Sequence, residues 1–228
     1  MNEKILKIED SKNIEAGMTF LTDSRKKTIL KYANLCSSLE GSMAEFGVAV
    51  GGTIIELAKK FTNKTIYAFD TFEGFDPLPK EWFNLSPRFD PKNYPFNENK
   101  EWPKSWGKDL PWKKTIEELK KYNNIKIKKG LFPDTTIGLE NEKYCFVHID
   151  VDIYSSTLYG LQYFFEKMVL GGAILIDDFY FEKELRPDNL LRFPQVREAI
   201  EDYFKNKSEN IVKTEVLGQG IIIKNENF

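Results

Sequence analysis

Cysteine is scarce in this chain of 228 residues: only Cys36 and Cys145 occur, each inside an apolar pattern. That excludes a disulfide framework and leaves two buried free thiols, the usage of a reducing cytoplasm. A surplus of one charge is lacking as well. Net charge is −2, and no like-charge block is long enough to form a nucleic-acid arm. Lys59-Lys60 and Lys113-Lys114 then read as solvated helix faces. Long hydrophobic runs are also missing. None approaches a membrane span, and the first residues hold no apolar signal core. The expectation is a soluble, cytoplasmic protein with no nucleic-acid and no membrane partner.

Core-forming residues are plentiful. Hydrophobic residues make up 41% of the chain and aromatics 14%, which excludes a disordered protein. No internal repeat or second domain stands out, so residues 1–228 read as one domain. Residues 1–40 form an N-terminal helical extension, which packs against a sheet or against a second subunit of a homo-oligomer. Residues 76–112 form a lid-like insertion.

The chain is organised around Cys145 to Asp152, followed by Ile153-Tyr154-Ser155-Ser156-Thr157. The first part is β-branched and aromatic, as a buried strand should be, and it breaks into carboxylates where the strand must end. A second apolar run, Ala173 to Ile176, ends the same way in Asp177-Asp178. Ligands of an open parallel α/β sheet sit beyond the carboxyl ends of its strands. Two neighbouring strands would deliver Asp150, Asp177 and Asp178 to one spot. Converging carboxylates repel unless a cation or protons hold them, and a hard divalent metal is the economical explanation.

Taken in order, the chain alternates strands and helices. Helical spacing runs from Asp23 to about Leu39, with Thr22 or Asp23 as cap. Met43 to Ala58 reads as strand, glycine turn and helix, with the spacing Glu-x-Gly-x-x-x-Gly-Gly from Glu45 through Gly47 to Gly51 and Gly52. These glycines let the backbone approach a ligand closely, and an ordinary tight strand-to-helix turn is the alternative. The strand Thr65 to Phe69 ends at Asp70, an acid placed to accept hydrogen bonds from a ribose diol. The alternative there is a turn cap.

Residues 76–112 carry seven prolines and eight aromatics. Disordered segments are poor in aromatics, so this one reads as a lid packed over the site. A surface elaboration without a ligand role is the competing reading.

Further on come a helix from Lys113 to Tyr122 and a half-exposed strand from Ile125 to Lys128. Gly130 to Thr135 lies beyond that strand, on the ligand side. After the strand Tyr144 to Asp150, a helix capped by Ser155 or Ser156 reaches about Met168, and Gly171-Gly172 enters the next strand. A last helix spans Phe193 to Phe204. Ile211–Val216 and Gly220–Ile223 form a hairpin around Leu217-Gly218-Gln219. This is an α/β fold: a doubly wound, mostly parallel seven-stranded sheet with a C-terminal antiparallel hairpin.

The ordered motifs resemble those of macrocin-type sugar O-methyltransferases. They are Thr19 with Arg25 downstream, Glu45-Phe46-Gly47-Val48 with Gly51-Gly52, Phe69 to Gly74, and Gly130-x-Phe132-x-Asp134-Thr135. His148-Ile149-Asp150-x-Asp152-x-Tyr154-x-Ser156-Thr157, Gly171-Gly172 leading to Asp177-Asp178-Phe179, and Val196 to Ile200 complete the set. The resemblance implies a Rossmann-like class I methyltransferase that uses S-adenosylmethionine and Mg²⁺. It implies that Thr19, Glu45, Gly47, Asp70 and Thr71 belong to the cofactor site. The strand-end readings add Gly51, Gly52 and Gly130. It further implies that Asp150, Asp177 and Asp178 bind the metal, with Asp150 doubling as catalytic base. The long 76–112 segment and the extended 179–193 loop depart from the family pattern and should border the acceptor pocket.

The chemistry follows from those groups. A sugar hydroxyl is a poor nucleophile, and a metal that binds it lowers its pKa and orients it. Three carboxylate oxygens, two oxygens of a vicinal diol and a water would fill the six-fold shell of Mg²⁺. The expected acceptor is a small molecule or glycan carrying a diol, with a catechol as competitor. Asp177 and Asp178 can share a metal only if the strand has broken there, since adjacent strand residues face opposite ways. His148 reads as structural, and Asp152 as a residue that orients its loop. The segment from Asp150 to Asp152 also reads as the D-x-D of a metal-dependent glycosyltransferase, which leaves the Glu45 turn unexplained. A non-catalytic S-adenosylmethionine-binding module is a third possibility.

Overall fold

Apolar runs alternating with amphipathic stretches set the architecture, seen in a computed structural model that describes residues 13–75, 77, 107–179, 194–208 and 211–225. The elements run α1 (Asp23–Cys36), β1 (Ser42–Phe46), α2 (Gly52–Lys60), β2 (Ile66–Asp70), α3 (Trp112–Leu119) and β3 (Ile125–Lys129). Then come β4 (Tyr144–Ile149), α4 (Tyr154–Lys167), β5 (Met168–Asp177), α5 (Pro194–Phe204), β6 (Val212–Lys213) and β7 (Gln219–Ile223). The strands form one sheet in the order β3-β2-β1-β4-β5-β7-β6. β1 to β5 are parallel, and β7 runs antiparallel to both β5 and β6. Strand order reverses between β1 and β4. That switch point is where an open α/β sheet leaves its crevice.

Side-chain alternation sends successive strand residues to opposite faces. Ala44, Val147 and Ile174 pack with Leu161, Phe164 and Ile200 of α4 and α5. Met43, Phe146 and Ala173 pack with Ile29, Ile54 and Leu119 of α1, α2 and α3. Helices thus cover both faces, which is why the central strands read as unbroken apolar runs. Phe164 anchors one side, its ring centroid 5.1 Å from Tyr144, 5.1 Å from Tyr163 and 5.5 Å from Phe69. Fully burying one such ring is worth about 1.5–3 kcal/mol.

Local details depart from the sequence expectations. Thr22 does cap α1, its Oγ1 accepting from the Arg25 amide, but the helix stops at Cys36 instead of Leu39. Neither Ser155 nor Ser156 caps α4. The N-cap is Ile153, without a side-chain bond, and both serines sit buried in the first turn. β5 begins directly after α4, so Gly171-Gly172 lie inside the strand. There the pairing jumps from Tyr144↔Met168 to Phe146↔Ala173, an irregularity that absorbs the extra residues. The hairpin's first strand shrinks to Val212–Lys213 because Thr214 turns the chain, its Oγ1 accepting from the Val216 amide. The lid expected over 76–112 lies outside the described residues except at 77 and 107–112, and residues 180–193 of the 179–193 loop lie outside them too.

Candidate active site at the carboxyl rim of the sheet

Four loops at one edge of the sheet share an unusual backbone. Ala49 after β1, Phe72 after β2, Asp152 after β4 and Asp178 after β5 all have positive φ, between 48° and 63°. Left-handed non-glycine residues cost about 1–3 kcal/mol each and cluster where function holds them. Asp178 also meets the condition set by the sequence. The strand has broken there, and Arg25 Nη1 lies 3.0 Å from Asp177 Oδ1 and 3.1 Å from Asp178 Oδ1.

The glycine turn after β1 is shaped by its own chain. A Cβ on Gly47 would stand 1.8 Å from the Asp150 carbonyl oxygen, and the Asp150 amide donates to the Phe46 carbonyl at 2.8 Å. A Cβ on Gly52 would stand 2.3 Å from the Met18 carbonyl oxygen, which accepts from the Gly52 amide at 2.9 Å. Gly47 therefore admits the β4 loop, and Gly52 admits a strap made of residues 17–21. Between strap, turn and β4 loop opens a cleft lined by Met18, Thr19, Glu45, Gly47, Thr53 and Asp150, among others. Thr19 Oγ1 lies 3.3 Å from Thr53 Oγ1.

Asp70 sits behind that turn. Its Oδ2 accepts from the Val48 and Ala49 amides at 2.7 and 3.0 Å, and its Oδ1 from the Phe72 amide at 2.7 Å. The Thr71 hydroxyl approaches Oδ1 at 3.4 Å and donates to the Gly74 carbonyl at 2.6 Å. Burial raises the Asp70 pKa against these hydrogen bonds. Asp70 thus ties the loops after β1 and β2 together. Gly130 joins them through its amide, which donates to the Asp70 carbonyl at 3.0 Å.

A row of polar side chains crosses the sheet on its α1 face. Glu45 of β1 stands beside His148 of β4, and Asp177 ends β5 two residues past His148's neighbour Leu175. His148 Nδ1 lies 2.8 Å from Glu45 Oε1, and Nε2 lies 2.7 Å from Asp177 Oδ2. Gln219 of β7 extends the row, its Nε2 donating to Asp177 Oδ2 at 3.1 Å. Burial alone would push His148 down, but the two carboxylates raise it to about 10. The two carboxylates therefore favour the protonated ring.

One oxygen of each carboxylate is left over. Glu45 Oε2 and Asp177 Oδ1 are buried and have no hydrogen-bond partner among the described residues. Asp177 Oδ1 faces Arg25 Nη1 at 3.0 Å as an ion pair, and the same nitrogen donates to Asp178 Oδ1 at 3.1 Å. Burial works against the ionised Asp177, yet Arg25, His148 and Gln219 hold its pKa below the ordinary value. Asp150 goes the other way, pushed well up by burial and by the charges of Asp177 and Asp178. Ligand atoms of His148, Asp150 and Asp177 lie within 4.8 Å of one another, as do those of Asp150, Asp152 and Asp178. An all-oxygen set of aspartates suits a hard divalent cation. Glu45 Oε2, orphaned in the cleft, suits a cationic group such as an amino-acid ammonium.

The fold brings Thr19, Glu45, Gly47, Gly52 and Asp150 to one cleft. Beside it Asp150 joins two clusters, one with His148 and Asp177 and one with Asp152 and Asp178, so Asp177 and Asp178 meet through Arg25 and not in one ligand set. Gly51 belongs to the same turn, whereas Asp70, Thr71 and Gly130 stand behind it. Two participants were not read as such from the sequence. Arg25 was quoted without a role, and Gln219 carried no signal beyond its place in a hairpin turn. His148 was read as structural, and its two carboxylate partners lie 103 and 29 residues away.

Comparison with known proteins agrees with this geometry. The profile of the family described as Macrocin-O-methyltransferase (TylF) matches residues 15–214. No curated protein matches the chain. The O-methyltransferase NovP has a similar structure at 15% identity and TM-score 0.69, over 91% of this chain and 82% of that one. CalS11, a calicheamicin methyltransferase, aligns at 14% identity and TM-score 0.64, over 88% and 78% of the two chains. A Bacillus cereus O-methyltransferase in complex with SAH aligns at 14% identity and TM-score 0.58, over 96% and 89%. At these identities the structures speak for the fold.

Proposed function

The chain belongs to the macrocin O-methyltransferase family, and we propose that it methylates one hydroxyl of a vicinal diol on a sugar, using S-adenosylmethionine and Mg²⁺. The observation that carries this reading is the pairing of an orphan carboxylate oxygen with a carboxylate cluster. Glu45 Oε2 lies buried at the cleft without a hydrogen-bond partner among the described residues, and Asp150 lines the same cleft while belonging to both acidic clusters. A sugar acceptor is supported by CalS11, described as a TDP-rhamnose 3′-O-methyltransferase. Family membership also sets aside the glycosyltransferase reading of Asp150 to Asp152.

Each residue then has a task. Glu45 Oε2 accepts a hydrogen bond from the cofactor's ammonium, with Thr19 and Thr53 on the facing wall of the cleft. Asp70 keeps the turn amides of Val48 and Ala49 in place and borders the ribose, with Thr71 beside it. Asp150, Asp177 and Asp178 would hold the cation, which when bound would acidify and orient the acceptor hydroxyl. Asp150, which belongs to both the cleft and the carboxylate clusters, is assigned the hydroxyl proton, taken up as the acceptor oxygen bonds the methyl carbon and S-adenosylhomocysteine leaves with the electrons of the broken C–S bond. Holding both reactants in line removes much of the barrier.

The test is methyl transfer to a matched panel of sugar diols, their monodeoxy analogues and catechols, with Mg²⁺ and with EDTA. Turnover is expected on the diols only, lost in EDTA and restored by Mg²⁺. Full activity in chelator would remove the metal, and equal rates on monodeoxy sugars would remove the chelating diol. A strong catechol preference would move the acceptor to that class.

A further inference from the structure

We propose that His148 is the positioning residue of this site: one imidazole fixes Glu45 for the cofactor and Asp177 for the metal, so the two subsites depend on each other. The inference rests on the reading above and adds a link between its two halves. Strand register supplies the geometry. β1, β4 and β5 are adjacent, and Glu45, His148 and Asp177 fall on one face of them. The ring's two nitrogens, 2.8 Å from Glu45 Oε1 and 2.7 Å from Asp177 Oδ2, each engage a single oxygen. That leaves Glu45 Oε2 without a hydrogen bond and Asp177 Oδ1 to its ion pair with Arg25. The ring is the one group among the described residues that touches both carboxylates; it holds Glu45 by Oε1 and, together with Gln219, holds Asp177 by Oδ2.

A histidine needed only for packing would not require this arrangement. His148 is 1% exposed, and so are both its carboxylate partners. Burying two acids against one ring costs on the order of several kcal/mol of desolvation, which the short contacts to both ring nitrogens must offset. Histidines that ligate a metal commonly use their second nitrogen on a carboxylate, and losing such outer partners typically costs 10–100-fold in metal affinity. Here the ring would serve as the outer partner of a ligating aspartate, with its second nitrogen reaching Glu45, the carboxylate assigned to the cofactor's ammonium. A disturbance at either end is transmitted by rotating or re-pairing the ring, and coupling between sites is reciprocal.

The experiment is calorimetry with S-adenosylhomocysteine in EDTA and, separately, with Mn²⁺ in the absence of cofactor. His148→Asn should weaken both ligands, Mn²⁺ by about tenfold or more. Because that variant can fail to fold, two isosteric changes read the link from its ends. Glu45→Gln should weaken Mn²⁺ by about fivefold or more although Glu45 is not a metal ligand. Asp177→Asn should weaken S-adenosylhomocysteine similarly although Asp177 does not line the cofactor cleft. A purely structural histidine would leave both cross-effects at zero in variants that melt like wild type. Wild-type Mn²⁺ affinity in Glu45→Gln, or loss of only one ligand in His148→Asn, would overturn the proposal. Wild-type protein that binds neither ligand would instead remove the methyltransferase site assignment and take this link with it.

Discussion

Gly47 tests the site more sharply than any charged residue, because its substitution adds one atom and no charge. A methyl group there would stand 1.8 Å from the Asp150 carbonyl oxygen, where real contacts keep about 3.0 Å. The β4 loop must therefore retreat by more than 1 Å or give up the bond from the Asp150 amide to Phe46. Gly47 also has φ +91°, so alanine adds about 1–2 kcal/mol of backbone strain. Overpacking contributes about 1–3 kcal/mol more. For a chain of this size each kcal/mol lowers the melting temperature by about 2–4 °C, which predicts a fall of roughly 4–20 °C for Gly47→Ala. A 1 Å misplacement in an active site can cost about 100-fold in rate, so kcat should drop far more than surviving folded protein explains. Gly138→Ala is the control. Gly138 has φ +82° with nothing within 4 Å of an added Cβ, so it should show the strain alone and keep wild-type kcat. The assay is differential scanning calorimetry paired with initial rates at saturating substrate. If Gly47→Ala matches Gly138→Ala in both melting and kcat, Asp150 is not held by that close approach and the reasoning fails.

Two further substitutions probe the neighbouring contacts. Arg25→Gln removes the cation facing Asp177 and Asp178 and should destabilise the metal-free protein by about 1–2 kcal/mol, a discounted value for a pair that solvent partly reaches. Melting in EDTA should fall, and saturating Mg²⁺ should recover most of the loss; an equal fall in both conditions would show that Arg25 does not neutralise the metal carboxylates. Asp70→Asn leaves at least one of three backbone amides without its acceptor, at about 1–3 kcal/mol, so both melting temperature and S-adenosylhomocysteine affinity should decline. Lost affinity with unchanged melting would mean that Asp70 serves the ligand and not the turn.

The fold was legible because its signals are local. Strands between two helical layers must be apolar throughout, and runs such as Tyr144 to Ile149 announce that without knowledge of their neighbours. Element ends were less legible, since they depend on contacts from elsewhere. Ser155 and Ser156 are good capping residues by type, yet the cap falls at Ile153, two residues before Ser155, and both serines are buried. Thr214 is a β-former, but its hydroxyl bonds the Val216 amide and ends β6 after two residues. Propensity loses at Thr214 to a hydrogen bond that composition does not reveal, and at the two serines to burial.

The site divides along the same line. Carboxylates at strand ends are visible in sequence, because parallel strands deliver their last residues to one rim; hence Asp150 and Asp177 meet as expected. What each acid does there is set by its partners, which come from distant stretches. Glu45 reads as a free carboxylate beside a glycine turn, yet half of it is committed to His148, 103 residues away. Asp70 reads as a ribose acceptor, yet three amides already converge on it. The glycines follow the same logic. Their missing side chains were assigned to a ligand's approach, whereas Gly47 and Gly52 first make room for Asp150 and for the strap at Met18. That does not diminish their part in binding. By letting the β4 loop lean onto the turn, Gly47 brings Asp150 to the cleft wall, so one residue belongs both to the cleft and to the acidic clusters beside it.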